Sequence, residues 1–599
     1  MFAPRAWLIP ALAVVAVALP LQTARAAGDT KTVVAHIKLS GNPDESAPAE
    51  DPFLGGVMGE TFMMKLDRIK KAKNDKAVAA LYLELDGLDV GWAKLDELSQ
   101  AVAEFRKTGK KAFALLKGGD QKDYLLALAC DEIIAPESGL LMLTGVRAEV
   151  TFYKELLDYL GVEADFLRMG EAKSAVEPFT STKLSDASRK QLTGVVGDRF
   201  EHGIVERIVK GRPEKNFTSD QVKKLIDQGP YTPKAALKAG LIDRAAYEEA
   251  LTEEMKTVLK ADKVTVTKNY GQNKPEELDL TRLFMKMMAP PKINFSNKPK
   301  IAVIYASGAI TGGKSSQSLL GSATCGAETM VEAIRQAEED SNVKAIVLRV
   351  DSPGGSAFAS DLIWKALKDC KKPVVASMGD VAASGGYYIC MSSKKIYADP
   401  GTLTGSIGVF GGKLTLGKLY DKIGLKTEVI SRGANANLFS EEHKFSDSER
   451  EAMTAFMKDV YDQFLDKALE GRKKAGRDLT RDQLVKLAGG RIWTGRQAKE
   501  NGLIDELGTL EDALAEAKKL AGVPEGKEME ILALPKAKSL IEALLDAKSD
   551  SKLSSPELRT LKLLREMPDL NRKLSGVEGL LQLRGEPAWL MTPYKVDVR

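Results

Sequence analysis

The stretch 343-VKAIVLRVD-351 decides the fold. It is an apolar, β-branched run closed by an aspartate, the pattern of a short buried strand. A second version, 78-VAALYLELD-86, stands 265 residues upstream. Working outward, 34-VAHIKLSG-41 matches 301-IAVIYASG-308, and 160-LGVEADFLRMG-170 matches 423-IGLKTEVISRG-433. Further on, 231-YTPKAALKAGLID-243 matches 493-WTGRQAKENGLID-505. Gly161 and Gly424 differ by 263 positions, Gly240 and Gly502 by 262, and the offset drifts between 260 and 267. Ordered matches with a slowly drifting offset are the mark of an internal repeat. Two halves, 30–250 and 299–525, are expected to share one fold.

Each half alternates apolar runs with helical patterns. In the second, IAVIYA, AIVLRV, PVVASM and KIYAD read as strands, with MVEAIRQAEED, LIWKALKDC and GKLYDKIG as helices between them. Continuous apolar strands alternating with helices predict an α/β fold on a largely parallel sheet. Helical extensions follow, the longest predicted over 446–474. Residues 251–298 read as a linker containing 280-LTRLFMKMMAPP-291, a helix expected to dock between the halves. Residues 526–599 read as a helical tail whose end, 585-GEPAWLMTPYKVDVR-599, is expected to be a packed strand or an interface arm.

The 599 residues are 44% hydrophobic and 28% charged, with 87 basic and 83 acidic side chains and a net charge of +4. That balance gives no footprint for nucleic acid. At the N-terminus, Arg5 precedes 7-WLIPALAVVAVALPL-21 and then 24-ARAAGD-29. A positive end, an apolar run and an Ala-x-Ala site read as an export signal over 1–26, or else a membrane anchor. Pro10 and Pro20 shorten the run below the ~20 residues of a membrane span. The four cysteines match no zinc spacing, and Cys130 and Cys390 are expected to be buried thiols. No cofactor or metal is implied.

The two copies disagree where chemistry would lie. In 381-VAASGGYYIC-390, Ser384 stands opposite Tyr124 of 121-QKDYLLALAC-130. Conversely, Lys173 in 170-GEAKSAVEPF-179 stands opposite Ala436 of 433-GANANLF-439. One copy keeps a candidate nucleophile and the other a candidate base. A serine hydroxyl needs a neighbour to take its proton, and a lysine can do so when burial in apolar surroundings lowers its pKa. Lys173 has the small neighbours Ala172, Ser174, Ala175 and Val176, and Ser174 is expected to hold the amine. His36, His202 and His443, the only histidines, sit in no motif-like setting, which counts against a Ser-His-Asp triad.

An acyl transfer also needs donors for the oxyanion. In 348-LRVDSPGGSAFASD-361 a strand runs into Gly354 and Gly355, whose N–H groups could face a ligand closely. The first-half counterpart, 86-DGLDVGWA-93, lacks the glycine pair. Ser384 is expected to open a helix. The segment 402-TLTGSIGVFGG-412 reads equally as a groove wall or a core strand, and substrate-binding residues stay unassigned.

Together VDSPGGS, AASGGYYI, TLTGSIGVFG, GEAKSAVEPF and the repeated GLID resemble the long, duplicated form of the signal peptide peptidase A (protease IV) family, from about residue 30 to 525. The resemblance implies two tandem Clp protease/crotonase-like repeats. It also implies a serine endopeptidase with Ser384 as nucleophile, Lys173 as base, and Gly354 and Gly355 at the oxyanion hole. It further implies peptide substrates such as leftover signal peptides, a tetrameric homo-oligomer, and an exported, envelope location with possible membrane association. Two alternatives remain at this level. A crotonase-like acyl-thioester enzyme could use the same glycine pair. A non-catalytic scaffold could use Ser384 as a helix cap, but it would have no reason to keep one serine and one lysine in different copies.

Overall fold

The computed structural model describes residues 32–46, 60–272, 298–316, 323–524, 529–536 and 587–592. The expected export signal, the 280–291 helix and nearly all of the charged 536–567 stretch lie outside the described residues.

The first half contributes β1 (Thr32–Gly41), β2 (Val78–Leu88), β3 (Lys111–Leu116), β4 (Glu132–Ala135), β5 (Glu163–Met169), β6 (Arg244–Ala245) and β7 (Val264–Thr267). All but β5 form one parallel sheet in the order β6-β4-β3-β2-β1-β7. The second half contributes β8 (Lys300–Ser307), β9 (Ala309–Thr311), β10 (Thr324–Gly326), β11 (Val343–Ser352), β12 (Gly354–Ser356) and β13 (Val374–Ala383). After them come β14 (Lys395–Ala398), β15 (Leu403–Gly405), β16 (Val409–Thr415), β17 (Ile492–Thr494), β18 (Glu506–Leu507), β19 (Glu530–Leu534) and β20 (Trp589–Met591). A second sheet runs β17-β15-β13-β11-β8-β19, with β14 beside β13 and β18 beside β14. The four strands predicted in this half are β8, β11, β13 and β14. Their continuous apolar sequences fit burial on both faces.

The repeat is visible in the backbone. Gly161 and Gly424 have φ of 82° and 78°, and Gly170 and Gly433 have 111° and 107°. The repeated GLID also has a structural meaning. Asp243 accepts from the Ile133 amide and pairs with Arg212 at 2.7 Å. Asp505 accepts from the Ile396 amide and pairs with Arg472 at 2.9 Å. In both halves a buried arginine and an aspartate pin the fourth repeated strand. The long helix, Asp447–Lys474, starts at a capping box between Ser446 and Glu449.

The halves are welded together. One apolar cluster takes Leu81 and Leu83 from the first sheet, Leu95 and Leu98 from the helix Trp92–Arg106, and Val303 and Val347 from the second sheet. The Ala93 and Lys94 amides at the start of that helix donate to Asp380 of the other half at 2.9 and 3.1 Å. Lys94 Nζ lies 2.9 Å from Asp351 and 3.0 Å from Asp380, and Arg349 pairs with Glu45 and Glu97. A third sheet, β10-β9-β12-β20-β16-β5, crosses the same boundary. In it β5 pairs antiparallel with β16 over seven residues, from Met169 opposite Val409 to Glu163 opposite Thr415.

Candidate active site

Ser384 sits where β13 ends and the short helix Gly385–Cys390 begins. Its backbone has φ 55° and ψ −112°, a sparsely populated conformation for a residue with a side chain. The surroundings hold it there: the Ser384 amide donates to Gly405 O at 2.8 Å, and Ser384 O accepts from the Tyr388 amide at 2.8 Å. The glycines after it are needed for close packing. A Cβ on Gly385 would stand 2.6 Å from Ser360 Oγ, and one on Gly386 would stand 2.5 Å from Ser352 O.

Lys173 follows β5 and is delivered across the boundary by the β5–β16 pairing. The turn Gly489–Gly490 of the second half clamps the segment: the Ala172 amide donates to Gly489 O at 2.9 Å, and a Cβ on Gly490 would meet Lys173 Cα at 2.4 Å. Gln191 bridges the halves beside it, donating to Ala172 O at 3.2 Å and accepting from the Ile492 amide at 3.0 Å.

The two expected residues, 211 positions apart, meet. Lys173 Nζ lies 2.7 Å from Ser384 Oγ, and both side chains are fully buried. The same nitrogen lies 3.0 Å from Ser406 O and 3.1 Å from Ser406 Oγ. Burial alone pushes the Lys173 amine well below the ordinary lysine value. Ser406, itself at φ 51°, is a site residue that the sequence reasoning did not single out. Its segment, 402-TLTGSIGVFGG-412, reads in sequence as a groove wall or a core strand, with no role given to its serine. Ser174, expected to hold the amine, does not. Its hydroxyl donates to Ala172 O at 3.3 Å, because the 3-10 turn Ser174–Val176 carries it away from Nζ.

The glycine pair divides. The Gly354 amide donates to Ser352 Oγ at 3.1 Å. Gly354 has φ +96°, and a Cβ there would fall 2.7 Å from the Gly385 amide nitrogen, so its place requires glycine. Gly355 stands in the β12 ladder opposite Leu590. The histidines are elsewhere: His36 faces Glu84, His202 faces Glu206, and His443 faces the Lys444 carbonyl.

In the first half the equivalent place is closed. Tyr124 is fully buried in the helix Gln121–Ala127, and the Asp123 carboxylate accepts from the Gly87 and Leu88 amides, each at 2.9 Å.

Comparison with known proteins fits this geometry. The profile of peptidase family S49 matches twice, at 104–262 and 366–524, and the Clp protease profile matches 322–401. A chloroplastic serine protease SPPA of Arabidopsis thaliana is 34% identical over 523 residues, spanning 85% of this chain and 73% of the relative. The chain belongs to peptidase family S49. Protease 4 of Haemophilus influenzae is 30% identical, over 80% of this chain and 77% of the relative. Among solved structures, a ClpP1 mutant of Listeria monocytogenes aligns with 35% of this chain and 94% of its own, at 18% identity and TM-score 0.24. The protein is a serine peptidase of the SppA type with a duplicated α/β fold, within which residues 322–401 match the Clp protease profile.

Proposed function

We propose that the peptidase cleaves extended, apolar peptides, among them the remnants of export signals, with Ser384 as nucleophile and Lys173 as general base. The observation that carries this reading is the 2.7 Å approach of Lys173 Nζ to Ser384 Oγ inside a fully buried site. A neutral amine has two N–H donors and one lone pair. Ser406 O and Oγ accept the donors, and the lone pair is left for the Ser384 hydroxyl proton. An amine kept neutral by burial is a base at ordinary pH.

The steps follow. Ser384 Oγ bonds to the peptide carbonyl carbon as its proton passes to Lys173 Nζ. The amide N–H groups of Gly355 and Gly385 receive the oxyanion, while Gly354 supplies room. When the C–N bond breaks, Lys173 returns the proton to the leaving amine. Water then bonds to the acyl carbon as its proton passes to Lys173 Nζ, the carbon–Oγ bond breaks, and Lys173 returns that proton to Ser384 Oγ. Substitution of Ser384→Ala or Lys173→Met should each lower kcat/KM on a fluorogenic apolar peptide by at least about 10⁴-fold. Wild-type turnover in either variant would end the dyad reading.

The working form is read as a ring of copies, a tetramer by family resemblance. The segment 426-KTEVISR-432 occupies the repeat position of β5 but runs exposed, with Ile430 96% accessible. Residues 146–152 occupy the repeat position of β16 and form no strand. Pairing these two between copies, Val146 opposite Arg432 and Phe152 opposite Lys426, would repeat the β5–β16 ladder head to tail. Ile430→Asp should yield monomers in sedimentation velocity, and an unchanged assembly would refute this interface. Residues 1–26 support export to the envelope. Among the described residues no helix is long and apolar enough to cross a membrane.

A further inference from the structure

We infer that the chain's own C-terminal arm, residues 587–592, occupies the peptide groove in the manner of a substrate and blocks the resting site. This rests on the peptidase reading above and adds to it a resident competitor and two subsites.

The arm is a strand laid into a slot. β20 runs antiparallel between β12 and β16, with Gly354 opposite Met591, Gly355 opposite Leu590, Ser356 opposite Trp589, and Phe410 opposite Trp589 on the other side. The Ala357 amide donates to Ala588 O at 3.1 Å and the Thr592 amide to Pro353 O at 2.9 Å. Antiparallel bonds recur every second residue, so Leu590 and Gly355 face each other in bonding register. Without the arm, β12 and β16 would present unpaired edges one strand apart. An extended peptide binds in just such a slot.

The register puts one carbonyl at the reacting place. A Cβ on Gly354 would lie 1.9 Å from Leu590 O and 2.7 Å from the Gly385 amide nitrogen. The Leu590 carbonyl oxygen and the amide after Ser384 therefore converge on one small space, where an oxyanion would form. Leu590 takes the position of the residue whose carbonyl is attacked.

Alternation then assigns the side chains. Leu590 is fully buried in the second-half core. Trp589 turns the other way, among Ala175, Val176, Phe166 and Phe410, with ring centroids 5.9 Å from Phe166 and 5.1 Å from Phe410. That pocket is assembled from both halves. The preferred peptides therefore carry a leucine-like residue at the cleaved position and a large or aromatic residue before it. Trp589 Nε1 is buried without a hydrogen-bond partner. An unpaired buried donor costs about 1–3 kcal/mol, which suits an exchangeable occupant better than a fixed core strand.

The test compares the full chain with a chain ending at Glu586 and with the full-length Trp589→Asp variant. On a fluorogenic apolar peptide, both altered chains should show apparent KM lowered at least about tenfold, since a tethered competitor acts at up to millimolar effective concentration. The peptide 586-EPAWLMTP-593, added in trans, should inhibit the truncated chain competitively. Equal KM in three active proteins would overturn the inference and leave the peptidase reading standing. A parallel measurement needs no turnover: fluorescein-labelled EPAWLMTP should bind the truncated Ser384→Ala chain at least about tenfold tighter than full-length Ser384→Ala. Tighter binding with no hydrolysis by the intact chain would uphold the arm and sink the peptidase reading, and equal binding would sink the arm.

Discussion

In the second half the turn after β11 leaves the Gly355 amide to face a neighbouring strand. In the first half the corresponding place, at the end of β2, has its Gly87 and Leu88 amides taken by the Asp123 carboxylate. Beside one turn stands Ser384, beside the other a buried Tyr124. Both halves nevertheless keep the arginine–aspartate pair that pins the fourth strand. Scaffold interactions survived in duplicate because each half must fold. Ser384 and Lys173 did not: each stands in one half alone, as the proposed dyad of one nucleophile and one base requires. The first half filled its vacated turn with a carboxylate, since buried amides left without acceptors are costly.

That contrast can be attacked at several points. The largest effect is expected from Asp123→Ala, which strips the buried Leu88 amide and the half-buried Gly87 amide of their acceptor. Chemical denaturation should give a loss of about 2–5 kcal/mol, with kcat/KM of the remaining folded protein unchanged. A fall in turnover would mean that the first-half turn still serves the chemistry. Next, Ser406→Ala removes one acceptor from the amine while keeping the carbonyl. We expect kcat reduced about 10–100-fold, within the usual contribution of a group that supports proton transfer, and the rising limb of the pH–rate profile displaced. An undisplaced profile would deny Ser406 its part in tuning Lys173.

Lys173→Met gives a subtler signature in stability. Folding lowers the amine's pKa, so between the folded value and the unfolded value of ~10.4 the unfolded chain holds the extra proton. Wild-type stability should therefore rise with pH across that window relative to the variant. Each unit of depression contributes about 1.4 kcal/mol. Parallel melting curves for the two proteins from neutral to alkaline pH would contradict a neutral buried amine. The smallest effect is expected at Tyr124, whose hydroxyl is buried without a partner. Tyr124→Phe should be neutral or stabilising by up to about 1 kcal/mol, with unchanged turnover.

Much of this was legible in the sequence, for definite reasons. Strands buried on both faces, such as IAVIYA and AIVLRV, announce themselves by composition alone. Ser384 and Lys173 emerged because each is missing from the other copy, which is a comparison and needs no coordinates. The third sheet was not legible. β9, β10, β12 and β20 are three residues long, and such strands exist only through the partners that long-range folding brings. Ser174 was a wrong choice for the amine's partner because adjacency along the chain says little about side-chain direction in a 3-10 turn. Gly354 and Gly355 look alike on paper; only the Ser352 hydroxyl distinguishes the amide it engages from the one left in the ladder.

The β5–β16 ladder that carries Lys173 to Ser384 has a temporal consequence. It joins residues 240 positions apart where Met169 meets Val409 and 252 apart where Glu163 meets Thr415, contacts that close late because long loops are slow to find their ends. A chain emerging from synthesis carries Lys173 long before Ser384 exists, and under the proposed dyad the serine is inert until the two halves have docked. On that reading reactivity is the last property the molecule acquires, and an unfinished chain is harmless polypeptide.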